Sequence, residues 1–449
     1  MSLGNSMTLR GCLTRSNVLL TTLALAAVPY VAPAGDWTQW GGNKADGHAE
    51  SARAPLHWDE TKNVVWKTPI PGRGWSSPVI YGDQIWMTSA FETPVKPEDR
   101  ERRLKASTAD QPLTLVQRVE LHAIAVDRNT GKILHQIPLL TEEEPQGVHQ
   151  LNSYASPTPV IEKDRLYCHF GAFGTACVDT HSGRVLWTNT TLRIQHENGP
   201  GSSPVVWKDW VIFHMDGSDQ QYIAALHKKD GKVAWKTERS GKMPDHPQMK
   251  KAYGTPLLLN VAGQDQVISE ASAWLYSYEP RSGKELWKVS LELPGFSQSA
   301  RSVADGQRIY MSTGFMRPEM IAVDYTKSAT PEIVWRYSKG APTMVSPIVV
   351  GEEIYFLSDS GGMLTCLDSR TGKENYRARL GGNYSASPIL AQGRLYIPNR
   401  EGITTVVKPG KTYESIATNS LSGKIMATPA VVDGALFIRT DTTLYRIEE

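Results

Sequence analysis

Ala-Cys-Val-Asp-Thr-His-Ser-Gly-Arg-Val-Leu-Trp, residues 176–187, is one copy of a pattern that recurs along the chain. It returns as Ala-Val-Asp-Arg-Asn-Thr-Gly-Lys-Ile-Leu-His at 125–135 and Ala-Leu-His-Lys-Lys-Asp-Gly-Lys-Val-Ala-Trp at 225–235. Further copies are Ser-Tyr-Glu-Pro-Arg-Ser-Gly-Lys-Glu-Leu-Trp at 277–287 and Cys-Leu-Asp-Ser-Arg-Thr-Gly-Lys-Glu-Asn-Tyr at 366–376. Each copy predicts a short apolar strand, a tight turn and a second strand. Asp179 and Ser182 can hold the turn amides, and Gly183 can take the positive φ that closes the turn. An indole such as Trp187 buries about 150–250 Å². One thin repeat cannot cover that area, so the ring is expected to lie against the next repeat. The pattern therefore speaks of architecture rather than chemistry.

Outward from these turns the repeat units can be counted. Seven open on Ser-Pro or Thr-Pro: Ser77-Pro78, Ser156-Pro157, Ser203-Pro204, Thr255-Pro256, Ser346-Pro347, Ser387-Pro388 and Thr428-Pro429. Arg301-Ser302-Val303 stands in the same place in an eighth unit. Spacing of about 40 residues suits four short strands, the blade of a β-propeller. Asn63–Lys67 reads as an outer strand whose three partners are missing, and residues 427–432, 435–439 and 443–447 read as three strands lacking a fourth. The expectation is an all-β, eight-bladed β-propeller closed by its first strand at 63–67, which removes the exposed edges of an open stack.

The chain has 449 residues, with 48 basic against 46 acidic side chains, so nothing in its charge suggests a nucleic-acid partner. Arg10 and Arg15 precede an apolar run at 18–28, and Ala32-Pro33-Ala34 fits a signal-peptidase site. Residues 1–34 are thus expected to be a signal peptide cleaved after Ala34, giving a periplasmic or secreted protein with no membrane span in its mature chain. Residues 35–62 read as an irregular lead-in packed on the outside of the body, and 63–449 as the propeller. A charged insert, about 92–118, falls between the second and third strands of the first blade. It is either a solvated excursion or a flap over the mouth of the ring. Counting back from a hairpin loop at Gly171–Gly174 sets Cys168 opposite Cys177. Two readings follow, a disulfide permitted by export or two small buried hydrophobes.

The Asp-x-x-Thr-Gly-Lys-x-x-Trp repeats, the Trp37-x-x-Trp40-Gly41-Gly42 lead-in and Trp75-Ser76-Ser77-Pro78-Val79 resemble the pyrroloquinoline-quinone (PQQ)-like β-propeller repeat with its tryptophan docking, over about residues 37–449. Relatives implied by this resemblance include quinoprotein alcohol dehydrogenases and the propeller lipoprotein of the outer-membrane assembly machine. The dehydrogenases use PQQ with Ca²⁺ and a disulfide between adjacent cysteines. This chain has no adjacent Cys pair and no Cys-x-x-Cys-His.

Ligand sites of rings tend to sit at their mouths. Trp75, Asn152, His196, Glu197, Arg301, Asn383 and Tyr384 precede first strands, with His149 beside them. Asp216, Asp219 and Asp359 lie in second-to-third strand loops, with His214 and Glu401. All are expected at one mouth as candidate ligand-binding residues, and Asp216 with Asp219 could offer oxygens to a hard cation. No nucleophile–base pair emerges, so no catalytic residue is named. Three functions follow. The first is an exported, non-catalytic, monomeric propeller binding a small ligand or an envelope protein at its channel face. The second is a PQQ- and Ca²⁺-dependent dehydrogenase. The third is an envelope assembly scaffold that holds a partner by strand addition.

Overall fold

The computed structural model describes residues 35–49, 53–105, 107, 109, 111–292, 295–326 and 330–449. The expected signal peptide lies outside them. Eight four-stranded antiparallel sheets follow one another along the chain. Their innermost strands, blades 1 to 8, are Val79–Tyr81, Val160–Glu162, Val205–Trp207, Leu257–Val261, Val303–Ala304, Ile348–Val350, Ile389–Ala391 and Ala430–Val432. The eighth sheet takes its outermost strand from the other end of the chain: Val64–Pro69 pairs antiparallel with Thr443–Ile447. This is the closed eight-bladed β-propeller that the repeat count requires.

The turn chemistry is local. Asp179 Oδ1 accepts from the Ser182 amide at 2.7 Å and from the Ser182 hydroxyl at 2.8 Å, while Gly183 has φ 70°. The same set recurs at Asp127, Thr130 and Gly131 and at Asp368, Thr371 and Gly372. These glycines also make room. Trp66 lies so close over Gly131 that a Cβ there would come within 2.7 Å of the indole, and its Nε1 donates to Arg128 O at 3.1 Å. Trp187, Trp235 and Trp335 make the corresponding Nε1 bonds to Lys228, Pro280 and Ser369 in the following blade.

The residues that open the blades do more than start strands. The Ser77 amide donates to Thr158 Oγ1, Thr158 to Ser203 Oγ, Ser203 to Thr255 Oγ1, Arg301 to Ser346 Oγ, Ser346 to Ser387 Oγ and Ser387 to Thr428 Oγ1, all at 2.9–3.0 Å. This belt shows that blade 2 opens at Thr158-Pro159, two residues beyond the Ser156-Pro157 counted from sequence.

Three further expectations are corrected. The lead-in does not stay outside. Trp37 makes a single antiparallel bridge to Ile80 on the inner edge of blade 1, each amide donating to the other's carbonyl at 2.8 Å, the Ile161 amide donates to Thr38 O, and His48 and Ala49 reach the inner strands of blades 6 and 7. Residues 35–49 therefore plug the axis, and only the following stretch, with Trp58 stacked on Tyr396, covers an outer seam. Cys168 pairs with Ala176, not Cys177, because the turn at Gly171–Phe173 makes His169 face Thr175. That one-residue shift sends the two thiols to opposite faces, where each is buried and free. Finally, the blade 1 hairpin runs through the start of the insert, pairing Glu92 with Val119 and Thr93 with Arg118. The excursion beyond it carries the helix Pro97–Lys105 and a short strand, Leu113–Thr114, which pairs with Val148–His149.

Candidate functional site

The register of each blade's first two strands sets one second-strand residue beside the axis: Thr88, His169, His214, Glu270, Ser312, Leu357, Pro398 and Arg439 in turn. Several reach to the segment that opens the next blade. Ser312 donates to Pro342 O, Glu270 Oε1 accepts from the Ser302 amide and hydroxyl, and Arg439 Nη1 donates to Ser76 O and Oγ at 3.0 and 2.7 Å. Burial dominates their titration. It pushes His169 down to about 3, raises Glu270 to about 7 and lowers Arg439 to about 9. Neither ring nitrogen of His214 is hydrogen-bonded. These side chains close the axis at this level; His169, His214, Glu270, Ser312 and Arg439 are each at most 3% exposed.

Above them the mouth is built in two halves. On the side of blades 1 to 3, Arg73 lies 5.4 Å over the Trp75 ring and donates to Asn152 O at 2.7 Å. Asn152 Nδ2 donates to Asn198 O and Pro200 O, and Asn152 Oδ1 accepts from Ser156 Oγ. His196 is buried, which pushes it down to about 3; its Nε2 accepts from the Ala172 amide. Glu197, held at φ 62°, is buried in an ion pair with Lys251 at 2.8 Å. A cleft of about 510 Å³ beside Arg73 is lined by Phe91, Glu92 and Glu120, and burial raises the Glu92 carboxyl.

On the side of blades 6 and 7, Asp359 accepts from the Thr343 amide and hydroxyl at 2.7 and 2.6 Å. Glu401 accepts from the Asn383 amide and side chain at 3.0 and 2.8 Å. Tyr384 is in the core, 1% exposed. Arg400, which sequence reasoning missed, donates to Ser385 Oγ and Tyr384 O. Its charge is felt by His149, whose pKa is lowered first by burial and then by Arg400. His149 sits on the small sheet made with the insert, and its amide donates to Asn198 O at 3.1 Å on the first half of the mouth.

Arg301 and Asp216 do not join the mouth, nor do His214, buried on the axis below it, and Tyr384. Arg301 faces the axial plug, donating to Ala45 O and Pro256 O with Trp40 under its guanidinium. Asp216 is locked in a buried two-oxygen pair with Arg239 at 2.9 and 2.6 Å. Asp219 is exposed and accepts from the Gln195 amide beside His196, so the two carboxylates do not converge on a cation. Among the described residues no three of His, Cys, Asp and Glu stand close enough to hold a metal ion. Ca²⁺ asks for six to eight oxygens. The axis instead offers two guanidiniums and two low-pKa imidazoles beside Glu270, so the donors present do not fit a calcium ion.

The upper loops also carry an apolar feature that the sequence reading passed over. Phe315 and Met316 are 55% and 62% exposed. They are held firmly: the Phe315 amide donates to Phe296 O at 2.7 Å, the two phenyl rings meet edge to face at 5.7 Å, and Met316 has φ 81°. Two large apolar residues inside Gly314-Phe315-Met316-Arg317-Pro318 were the available signal, since a Gly- and Pro-bounded loop stays on the surface.

BamB from Moraxella catarrhalis superposes with a TM-score of 0.52 at 11% identity, over 75% of this chain and all of that one. Quinohemoprotein alcohol dehydrogenase from Comamonas testosteroni gives 0.59 at 12%, and ADHIIG from Pseudomonas putida HK5 gives 0.60 at 10%, each over 92% of this chain and 80% of the other. At these identities the likeness is one of fold. No curated protein matches the chain. A family model does, over residues 49–191, 101–237 and 271–439, which together take in well over half of the sequence. The chain therefore belongs to the PQQ-like repeat family whose model is described as outer membrane protein assembly factor BamB.

Proposed function

We propose that this protein is an exported, non-catalytic propeller that docks another envelope protein on its upper face. The observation that carries this reading is the Phe315–Met316 knob. Most other large exposed hydrophobics, namely Val65, Ile133, Leu134, Val233 and Val334, lie on outermost strands of blades, where such exposures are ordinary. Phe315 and Met316 sit together on a loop braced by a neighbouring loop, which suits a pre-ordered aromatic and methionine anchor for a partner's pocket. The closed axis and plugged lower end speak against a ligand threading the channel, and the family description favours an envelope partner. The test is photo-crosslinking from position 315 in cells, with position 233 as the outer-edge control. A discrete envelope protein crosslinked from 315 alone, and lost in Met316→Ser, is the expected result. Equal labelling from both positions would remove the reading. Added PQQ and Ca²⁺ should not shift the melting temperature; a shift would favour the dehydrogenase reading.

A further inference from the structure

The Gly35 nitrogen stands 2.9 and 3.1 Å from the two carboxylate oxygens of Asp433. Asp433 lies in the turn after the innermost strand of blade 8, with φ 52°. Its carboxylate also takes Arg128 Nη1 at 3.0 Å. The approach is close: a Cβ at position 35 would come 2.9 Å from Asp433 Oδ1, so the carboxylate would have to shift, and 3.5 Å from Val432 Cγ1. A backbone amide has one hydrogen to give, whereas both oxygens of this carboxylate address the same nitrogen. An ammonium, with several hydrogens and a charge, fits that arrangement better. The bond on the other side of this nitrogen is Ala34–Gly35, where Ala32-Pro33-Ala34 fits a leader-peptidase site.

We propose that Gly35 is the N-terminus of the processed protein and that its new α-ammonium is captured by Asp433, fastening the axial plug. Hydrolysis of the Ala34–Gly35 amide by a leader peptidase of the export machinery consumes one water. It leaves a carboxylate on Ala34, which departs with the leader, and an amine on Gly35 that is mostly protonated at neutral pH. Gly35 begins the stretch that runs up the axis through Trp37, Thr38 and His48 to blades 1, 2 and 6. Capture at blade 8 thus ties the start of the plug to the blade that closes the ring. The surrounding charges are Asp36, which accepts from the Gly82 amide, Arg128 with Asp83 at 3.7 Å, and Arg53 beside Gly434. The proposal shares only export with the docking reading, and nothing in it depends on Phe315 or Met316.

The experiment uses the full chain exported under its own leader in a bacterial host. N-terminal sequencing of the purified protein should begin at Gly35. Acylation of its α-amine near pH 7 should be about two- to fivefold slower than in Asp433→Asn, the scale of a partly exposed ion pair. Arg128→Gln, which removes the competing cation but keeps the carboxylate, should stay slow. A chain made without the leader and starting one residue earlier should lose the slowing and show faster hydrogen exchange at Trp37. An N-terminus at another residue, or an acylation rate indifferent to Asp433→Asn, would overturn the proposal.

Discussion

Glu270 is an acid that burial raises from 4.5 to about 7. Its folded form holds the proton more tightly than the unfolded chain does. The favourable contribution is complete below pH 4.5 and is lost as pH rises through 7. The buried histidines act oppositely: His169, pushed down from 6.5 to about 3, costs stability as pH falls below 6.5. Replacing Glu270 by Gln should remove a decline of roughly 3 kcal/mol between pH 4.5 and 7 and leave the acid-side loss from the histidines. Urea unfolding at several pH values reads this directly, and parallel curves for the two proteins would refute it. At this scale the sequence disclosed what depends on near neighbours. Asp179, Ser182 and Gly183 act within one turn, so their roles could be read. Asp216 finds Arg239 23 residues away and Glu197 finds Lys251 54 residues away, and no local pattern tells a carboxylate in such a pair from one awaiting a ligand. The thiols failed for a smaller reason, a single residue in one hairpin loop.

Among the elements, the lead-in and the insert were the least legible, because neither carries the alternation of a blade strand. Irregular backbone can lie outside a fold or thread its axis. Gly41 and Gly42, at φ 72° and 85°, serve the second case, with Trp37 folded back on Gly42. The insert divides in two. Val148 and Leu113 of its small sheet are buried, whereas the helix Pro97–Lys105 buries no residue. Its ion pairs, such as Lys105 with Glu101, are exposed and contribute little. Arg103 is the exception, donating to Val116 O and Pro145 O. Exchanging the rest of 97–105 for Gly and Ser while keeping Arg103 should therefore change stability by no more than about 0.5 kcal/mol. A larger loss in urea titrations would mean that the helix braces the mouth.

At the level of the whole molecule, the eight-fold count and the joined ends could be read because each blade repeats the same signals and the two incomplete blades complement each other. Closure should be energetically visible. A chain beginning at Gly72 lacks the strand Val64–Pro69 together with the buried Trp37 and Trp58. It should lose at least the ~3–5 kcal/mol associated with removing one buried Trp and should self-associate through the bared edge of Thr443–Ile447. An unchanged urea midpoint and a monomeric sedimentation profile would contradict this.

The hydroxyl belt has a sense of circulation. Each of its six bonds runs from an amide to the hydroxyl of the blade ahead, so the belt is vectorial although the blades look alike; it breaks after Thr255, where blade 5 opens on Arg301 rather than a hydroxyl, and between blades 8 and 1. Removing one hydroxyl strands the donor behind it and spares the one in front. In Ser387→Ala the Ser346 amide would lose its acceptor, at about 1–3 kcal/mol, while the amide of residue 387 keeps Thr428. Amide exchange should quicken at 346 and hold steady at 387. Damage to this belt is passed upstream, toward the end of the chain that the ribosome made first.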